Sequence, residues 1–310
     1  MLAGVALLAA FAAQWVLRKK DPLMDQQARE LVANARKLVH LSRPIGPTLE
    51  GDWLASHSEP GQSFRQYLAI DPVTLTEDRG VLYVQPLGDF DDKNKRIVEL
   101  SAEFLGLYFC CPVKILPDLS LDEVIPAKAR RVHTGIRQIK STFVLDEVLR
   151  PRLSDDAVAL IAFTTSDLYP QDDWNFVFGQ ASLRNRVGVW SLYRNGDPEL
   201  EFTTCLLRTL KTASHETGHM FSIKHCTEFE CNMCGSNNRA ESDRRPLQLC
   251  PECVAKIWYA TGCDSTLRFQ KLAEFCERNE LSESAAYFRA ATSALRSLSE
   301  SEQARIRRNP

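Results

Sequence analysis

An α/β fold with helices packed on a sheet is predicted by three features of this 310-residue chain. Strand-like and helix-like runs alternate through its first two thirds, one of those runs is continuously apolar, and long proline-free helical stretches follow. The first helical periodicity covers residues 25–41, after which Pro44, Gly46 and Pro47 break the chain and place the start of a compact domain near residue 45. Residues 81–84 read as a strand, 93–108 as an amphipathic helix, 113–116 as a second strand and 139–149 as another helix. The apolar run 157–163 is expected of a buried central strand. Residues 187–193 alternate and carry Arg186 and Arg194 at their ends, which predicts an edge strand. Trp174, Phe176 and Phe178 also alternate and are expected in the core, whereas Asp167, Tyr169 and Asp172 suit a polar rim. From Glu199 the pattern turns helical, with one helix expected over 206–221. Two more helices follow, at 265–278 and 282–298, separated by a break at Asn279; the final residues, with Arg305, Arg307 and Arg308, read as a solvated tail.

Charge excludes one class of function. The 38 basic residues nearly cancel the 40 acidic ones, so there is no electrostatic reason to expect a nucleic-acid partner. The ten cysteines are many for this length, and four of them, Cys226, Cys231, Cys250 and Cys253, crowd into one region. Disulfides are one reading of such a set, but tight C-x-x-C spacing in a large domain favours thiolates on a metal in a reducing compartment.

Residues 2–17 are apolar except for Gln14 and are followed by Arg18, Lys19 and Lys20. A bilayer span needs ~20 apolar residues, so this run is short for one. It lacks a charged leading region and a cleavage signature, and the basic flank would keep the body of the protein on the cytoplasmic side of a membrane. An anchor through residues 2–17 and a true translation start at Met24 both fit. The expected organisation is therefore an apolar segment at 1–20, a helical linker at 21–44, a catalytic domain at 45–262 and a helical extension at 263–310.

The chemistry concentrates at residues 215–225, HETGHMFSIKH. Histidines four apart on a helix share a face, so His215 and His219 can direct nitrogens at one ion, with Glu216 on the adjoining face. Catalytic zinc takes three protein ligands and leaves a position for water, and His225 can supply the third ligand if the chain turns sharply after the helix. Zinc lowers the pKa of water there toward ~7, and Glu216 can take the proton and deliver it to a leaving amine. Short H-E-x-x-H strings also arise by chance; the third histidine and the adjacent cysteines favour metal. For the cysteines, Cys231 and Cys234 themselves form a C-x-x-C, so a ribbon-like set of Cys231, Cys234, Cys250 and Cys253 competes with the set containing Cys226.

These residues resemble the archaemetzincins. The matching stretch HETGHMFSIKHCTEFECNM and the later CPEC at 250–253 place Cys226, Cys231, Met233, Cys250 and Cys253 in the family's register. GDWLASHSEP at 51–60, SDLYPQDDWNFVFGQASL at 166–183 and SDRRPLQLCPEC at 242–253 look like the animal members, and the resemblance spans roughly residues 45–260. It implies a metzincin-like zincin fold: a twisted mixed sheet, an active-site helix and a small lower subdomain. It implies two zincs per chain, one catalytic on the three histidines and one structural on Cys226, Cys231, Cys250 and Cys253, with Met233 in a Met-turn beneath the catalytic metal. It further implies zinc-dependent hydrolysis of peptides or unfolded proteins, with substrate lying along an edge strand; 187–193 is the candidate strand. The alternative is a catalytically weak, zinc-stabilised binding scaffold, favoured by Ser222 standing where the family has glycine. A left-handed residue at that turn would cost about 1 kcal/mol if it is not glycine.

Overall fold

The chain is described by a computed structural model covering residues 24–182 and 185–308. The apolar run at 2–17 lies outside the described residues, and within them no helix is long and apolar enough to cross a membrane.

The central sheet has the order β2-β1-β5-β8-β7 and is formed by β1 (Val81–Leu87), β2 (Val113–Ile115), β5 (Ala157–Thr164), β7 (Gly179–Ser182) and β8 (Val187–Ser191). All neighbours are parallel except β7, which runs antiparallel to β8. Every residue of β5 is buried, as its unbroken apolar run requires of a strand covered on both faces. A smaller sheet joins β3 (Arg130–His133), β4 (Ile136–Lys140) and β6 (Asp167–Tyr169) in the order β3-β4-β6.

Three expectations are corrected. Strand β8 is internal, between β5 and β7, and all five of its residues are buried; the edge on that side is Gly179–Ser182. The flanking arginines misled because both turn inward. Arg186 bonds the Ala157 carbonyl, and Arg194 forms a two-pronged ion pair, 2.7 and 2.8 Å, with the fully buried Asp167. The true edge, Gly-Gln-Ala-Ser, has no apolar alternation to announce it. Second, the helix expected over 139–149 begins only at Ser141 and continues as a π-helical turn at Val144–Leu149. Ile139 and Lys140 belong to a β3–β4 hairpin reversed at Thr134 and Gly135, both at positive φ, as a tight hairpin turn demands. Third, Trp174 is exposed and Phe176 and Phe178 are only half-buried, while Asp167 and Tyr169 of the expected rim are buried.

The main helices carry readable end signals. In α1 (Gln26–Arg36) the Asp25 side chain accepts from the Ala28 N–H, and in α3 (Asp92–Phe109), which follows the short α2 (Phe64–Ala69), Asp91 accepts from Asn94. After α4 (Phe202–Met220), α5 (Pro251–Thr261) starts on a proline and ends at Gly262 with φ 63°. Asp264 caps α6 (Ser265–Arg278), and α7 (Ser282–Arg308) runs through the region expected to be a tail. Residues from both flanks, Ala28 and Ala35 before the sheet and Phe269, Phe275 and Phe288 after it, share one buried core with α3 and α4.

The end of α4 positions everything that follows. Ser222 N–H donates to the His219 carbonyl at 2.9 Å and Ile223 N–H to Gly218 at 3.2 Å, the paired bonds of a Schellman motif. Ser222 occupies the left-handed position of that motif, φ 66°. Its Oγ accepts from Val73 N–H at 3.2 Å and its carbonyl from Gln62 Nε2 at 3.1 Å. Glycine here would relieve about 1 kcal/mol of backbone cost but forfeit a hydrogen bond of similar worth. Denaturant unfolding should therefore place Ser222→Gly within about 1 kcal/mol of wild type, whereas Ser222→Ala, which keeps the strain and loses the bond, should be destabilised by about 1 kcal/mol.

Candidate metal centre

Helix α4 presents His215 and His219 on one face, and the turn at Ser222 returns His225 to meet them; one nitrogen from each lies within 4.8 Å of the others. The ring centroids are 4.6, 4.9 and 5.3 Å apart. Each Nδ1 faces a group that can only accept. His215 donates to the Asn232 carbonyl at 2.7 Å, His219 to the Ile223 carbonyl at 2.6 Å, and His225 to both oxygens of Glu59 at 2.9 and 3.0 Å. These bonds fix the tautomer, leaving Nε2 of each ring as an acceptor. His215 Nε2 and His219 Nε2 stand 3.1 Å apart with no proton to share, an arrangement that a cation resolves. Burial, reinforced by the neighbouring rings, holds the His215 pKa well below the usual imidazole range, and burial followed by the proximity of the His225 ring lowers His219 to about 4, so both remain neutral and free to ligate. This donor set fits zinc. Glu216, beside His215 and partly open to a small cavity, has its carboxyl pushed up to about 7 by burial.

The second cluster is Cys226, Cys231, Cys250 and Cys253, four buried thiols whose sulfurs all lie within 4.8 Å of one another. Cys231 Sγ accepts from the backbone N–H of Met233 at 3.4 Å and of Cys250 at 3.3 Å, and Cys226 and Cys250 sulfurs are 3.7 Å apart. Hydrogen bonds from the other thiols draw Cys226 well below the usual thiol range, whereas burial raises Cys231 and Cys250. All ten cysteines are free thiols, and four converging sulfurs fit a thiolate metal site rather than disulfides. Cys234 instead donates to the Phe229 carbonyl at 3.1 Å and is not among the four.

The two clusters are tied through the residues between them. Cys226 N–H donates to the Met233 carbonyl at 2.8 Å, and buried Met233 lies under the helix at Gly218, where an added Cβ would fall 2.6 Å from its Sδ. Asn232 anchors His215 with its carbonyl while its side chain donates to Ser214 Oγ at 2.8 Å.

Glu59, Gln62 and Trp53 are partners that motif reasoning does not single out. Gln62 accepts from Lys224 N–H at 3.1 Å and donates to the Ser222 carbonyl, so it pins both sides of the turn. Trp53 sets its edge against His225 at 5.2 Å and stacks on His57 at 3.7 Å. The only hint in the sequence is that 51–60 belongs to the segments carrying the family resemblance; an isolated glutamate far from the histidines has no spacing to betray it.

The chain is similar to several known proteins. The profile of Peptidase family M54 matches residues 122–258. Archaemetzincin-2 of Mus musculus is 30% identical over 318 aligned positions, covering 87% of each chain. Archaemetzincin of Archaeoglobus fulgidus is 34% identical, covering 57% of this chain and 99% of its own. The crystal structure of archaemetzincin from Methanopyrus kandleri is 26% identical with a TM-score of 0.49, over 59% of this chain and 96% of that one.

Two substitutions probe the site. Glu59→Gln should lower zinc affinity by about 10- to 100-fold in competition with a chromogenic chelator while leaving the fold intact. Gly218→Ala should force Met233 aside and cost about 1–3 kcal/mol in denaturant unfolding.

Proposed function

Because the chain belongs to the archaemetzincin family of zinc metallopeptidases, we propose that it hydrolyses peptide bonds in peptides or unfolded proteins with His215, His219 and His225 holding a catalytic zinc and Glu216 as general base. Three imidazoles whose Nδ1 protons are already donated, leaving three Nε2 acceptors together, carry this reading. Zinc held there supplies a Lewis acid that polarises the scissile carbonyl and acidifies water. Glu216, next to His215 on α4, takes the proton of the attacking water and passes it to the leaving nitrogen. No side chain attacks the substrate, so no covalent intermediate with the chain forms. Cys226, Cys231, Cys250 and Cys253 would hold a second zinc in an all-thiolate set with no open position, a structural role that locks the segment carrying His225.

The antiparallel edge strand β7, not β8, is the place where an extended substrate can add by backbone hydrogen bonds. It lies over α4, with Gly179 close to Thr212, one turn before Glu216. Ser222 gives no support to an inert scaffold, because its left-handed backbone sits in a complete Schellman motif and its hydroxyl is bonded.

Elemental analysis should find two zincs per chain, one lost in His219→Ala and the other in Cys253→Ser. Glu216→Ala should keep both metals and lose about 10²- to 10⁴-fold in kcat on a peptide library, the usual worth of a general base. Equal turnover by Glu216→Ala and wild type would refute this assignment.

A further inference from the structure

Beside Glu216 opens a small cavity of about 80 Å³, lined by His215, Glu216, Phe178 and Asn232 and bounded by two cations, Lys211 and Arg245. Lys211 lies one helical turn before His215, so the two share a face of α4. The cations differ in how they are balanced. Arg245 is neutralised by Glu230 at 2.7 Å and Glu241 at 3.0 Å. Lys211 is buried, and its Nζ donates only to backbone carbonyls, Asp243 at 3.1 Å and Ser242 at 3.4 Å. The nearby Asp243 carboxylate is held by both prongs of Arg208, at 2.7 and 3.0 Å. Among the described residues no carboxylate oxygen is in contact with Lys211: its hydrogen bonds go to carbonyls, and the carboxylates of Asp243 and Glu283 act on it only from a longer distance, opposed by Arg208 and Arg239. Burial lowers its pKa, the sign of a charge that gains from an anionic partner. Lys211 and Arg245 also line a second, larger groove of about 880 Å³ that runs past residues 41–46 toward Leu281 and Glu283.

Glu216 hands its proton to the leaving nitrogen, so the cavity next to it receives the residue that follows the scissile bond. We propose that Lys211 determines specificity by pairing with a carboxylate on the leaving side of that bond, supplied by an acidic side chain or by the free C-terminus of a short product. This rests on the peptidase reading. A lysine-bearing residue in the same place would set two ammonium groups together and be rejected.

The test uses zinc-loaded full chain and peptides that differ only after the cleaved bond: Asp, Glu, Ala or Lys, each with a free or amidated C-terminus. A charge-assisted hydrogen bond in this setting predicts a kcat/KM for the acidic residue, or for the free carboxylate, about tenfold or more above the neutral peptide. Lys211→Met and Lys211→Gln should abolish that preference while zinc content stays at the wild-type value and both variants remain folded, with a melting temperature lowered by no more than the loss of the two bonds to the Ser242 and Asp243 carbonyls entails. The free-versus-amidated pairs tell which carboxylate is read. Wild-type enzyme indifferent to the charge, or a preference that survives in both variants, overturns the proposal. If no peptide is cleaved, the peptidase reading fails by itself; calorimetric binding of the acetylated peptides to Glu216→Gln then decides, and equal affinity for the Asp, Ala and Lys peptides overturns the role of Lys211.

Discussion

Helix α4 closes with paired hydrogen bonds from Ser222 to His219 and from Ile223 to Gly218, and the left-handed residue between them swings the chain so that His225 faces His215 and His219. A continued helix would carry residue 225 away from the first two rings. The same reversal exposes the Ile223 carbonyl to His219 Nδ1, so one turn both delivers the third imidazole and orients the second. The turn is held from outside by Gln62, Val73 and the hydroxyl of Tyr67, which bonds the Phe221 carbonyl at 3.0 Å. Phe221 in turn stacks on Phe109 at the end of α3 at 5.0 Å, which couples the turn to the core.

Beyond the turn, the cysteine cluster does for residues 226–234 what the Schellman motif does for 221–223. A stretch with little regular secondary structure is closed by four sulfurs, two sulfur-directed N–H groups and the Cys226 to Met233 backbone bond. Asn232 and Met233 thereby reach α4 from below, one on His215 and one against Gly218. Loop backbone is otherwise the most pliant part of a domain, so a geometry needed to tenths of an ångström calls for such cross-links. The segment before the sheet contributes equally: Ile45 bonds Glu228 and Glu230 bonds Arg43 through their backbones, and Glu59 meets His225.

Electrostatically, the site sets unlike environments side by side. His215 and His219 are kept neutral by burial and neighbouring rings, Glu216 has its carboxyl raised by burial alone, and buried Lys211 gives its hydrogen bonds to carbonyls. Groups held this way gain most when their counterparts arrive, which is how a binding site differs from a set of satisfied surface pairs such as Arg208 with Asp243.

By itself the sequence determined the central strand, the helices with capping residues, the three histidines, Glu216 and the cysteine region, because each of these depends on local spacing or on an unbroken apolar run. The left-handed state of Ser222, the edge position of Gly179–Ser182 and the contacts of Glu59, Gln62 and Lys211 were decided only in three dimensions. Spacing leaves both cysteine sets open and the family resemblance points to the one with Cys226; the folded loop brings those four sulfurs together and turns Cys234 toward the Phe229 carbonyl. Strand order is equally invisible to periodicity: β8 alternates as an edge strand does, and its neighbour β7 is a four-residue polar segment that becomes a strand because β8 offers it hydrogen bonds. Glu59 is separated from His225 by 166 residues, and no local pattern records a contact between groups that distant in the chain. Contacts of that kind are fixed by tertiary packing, which selects among local options that the sequence leaves nearly equal in free energy.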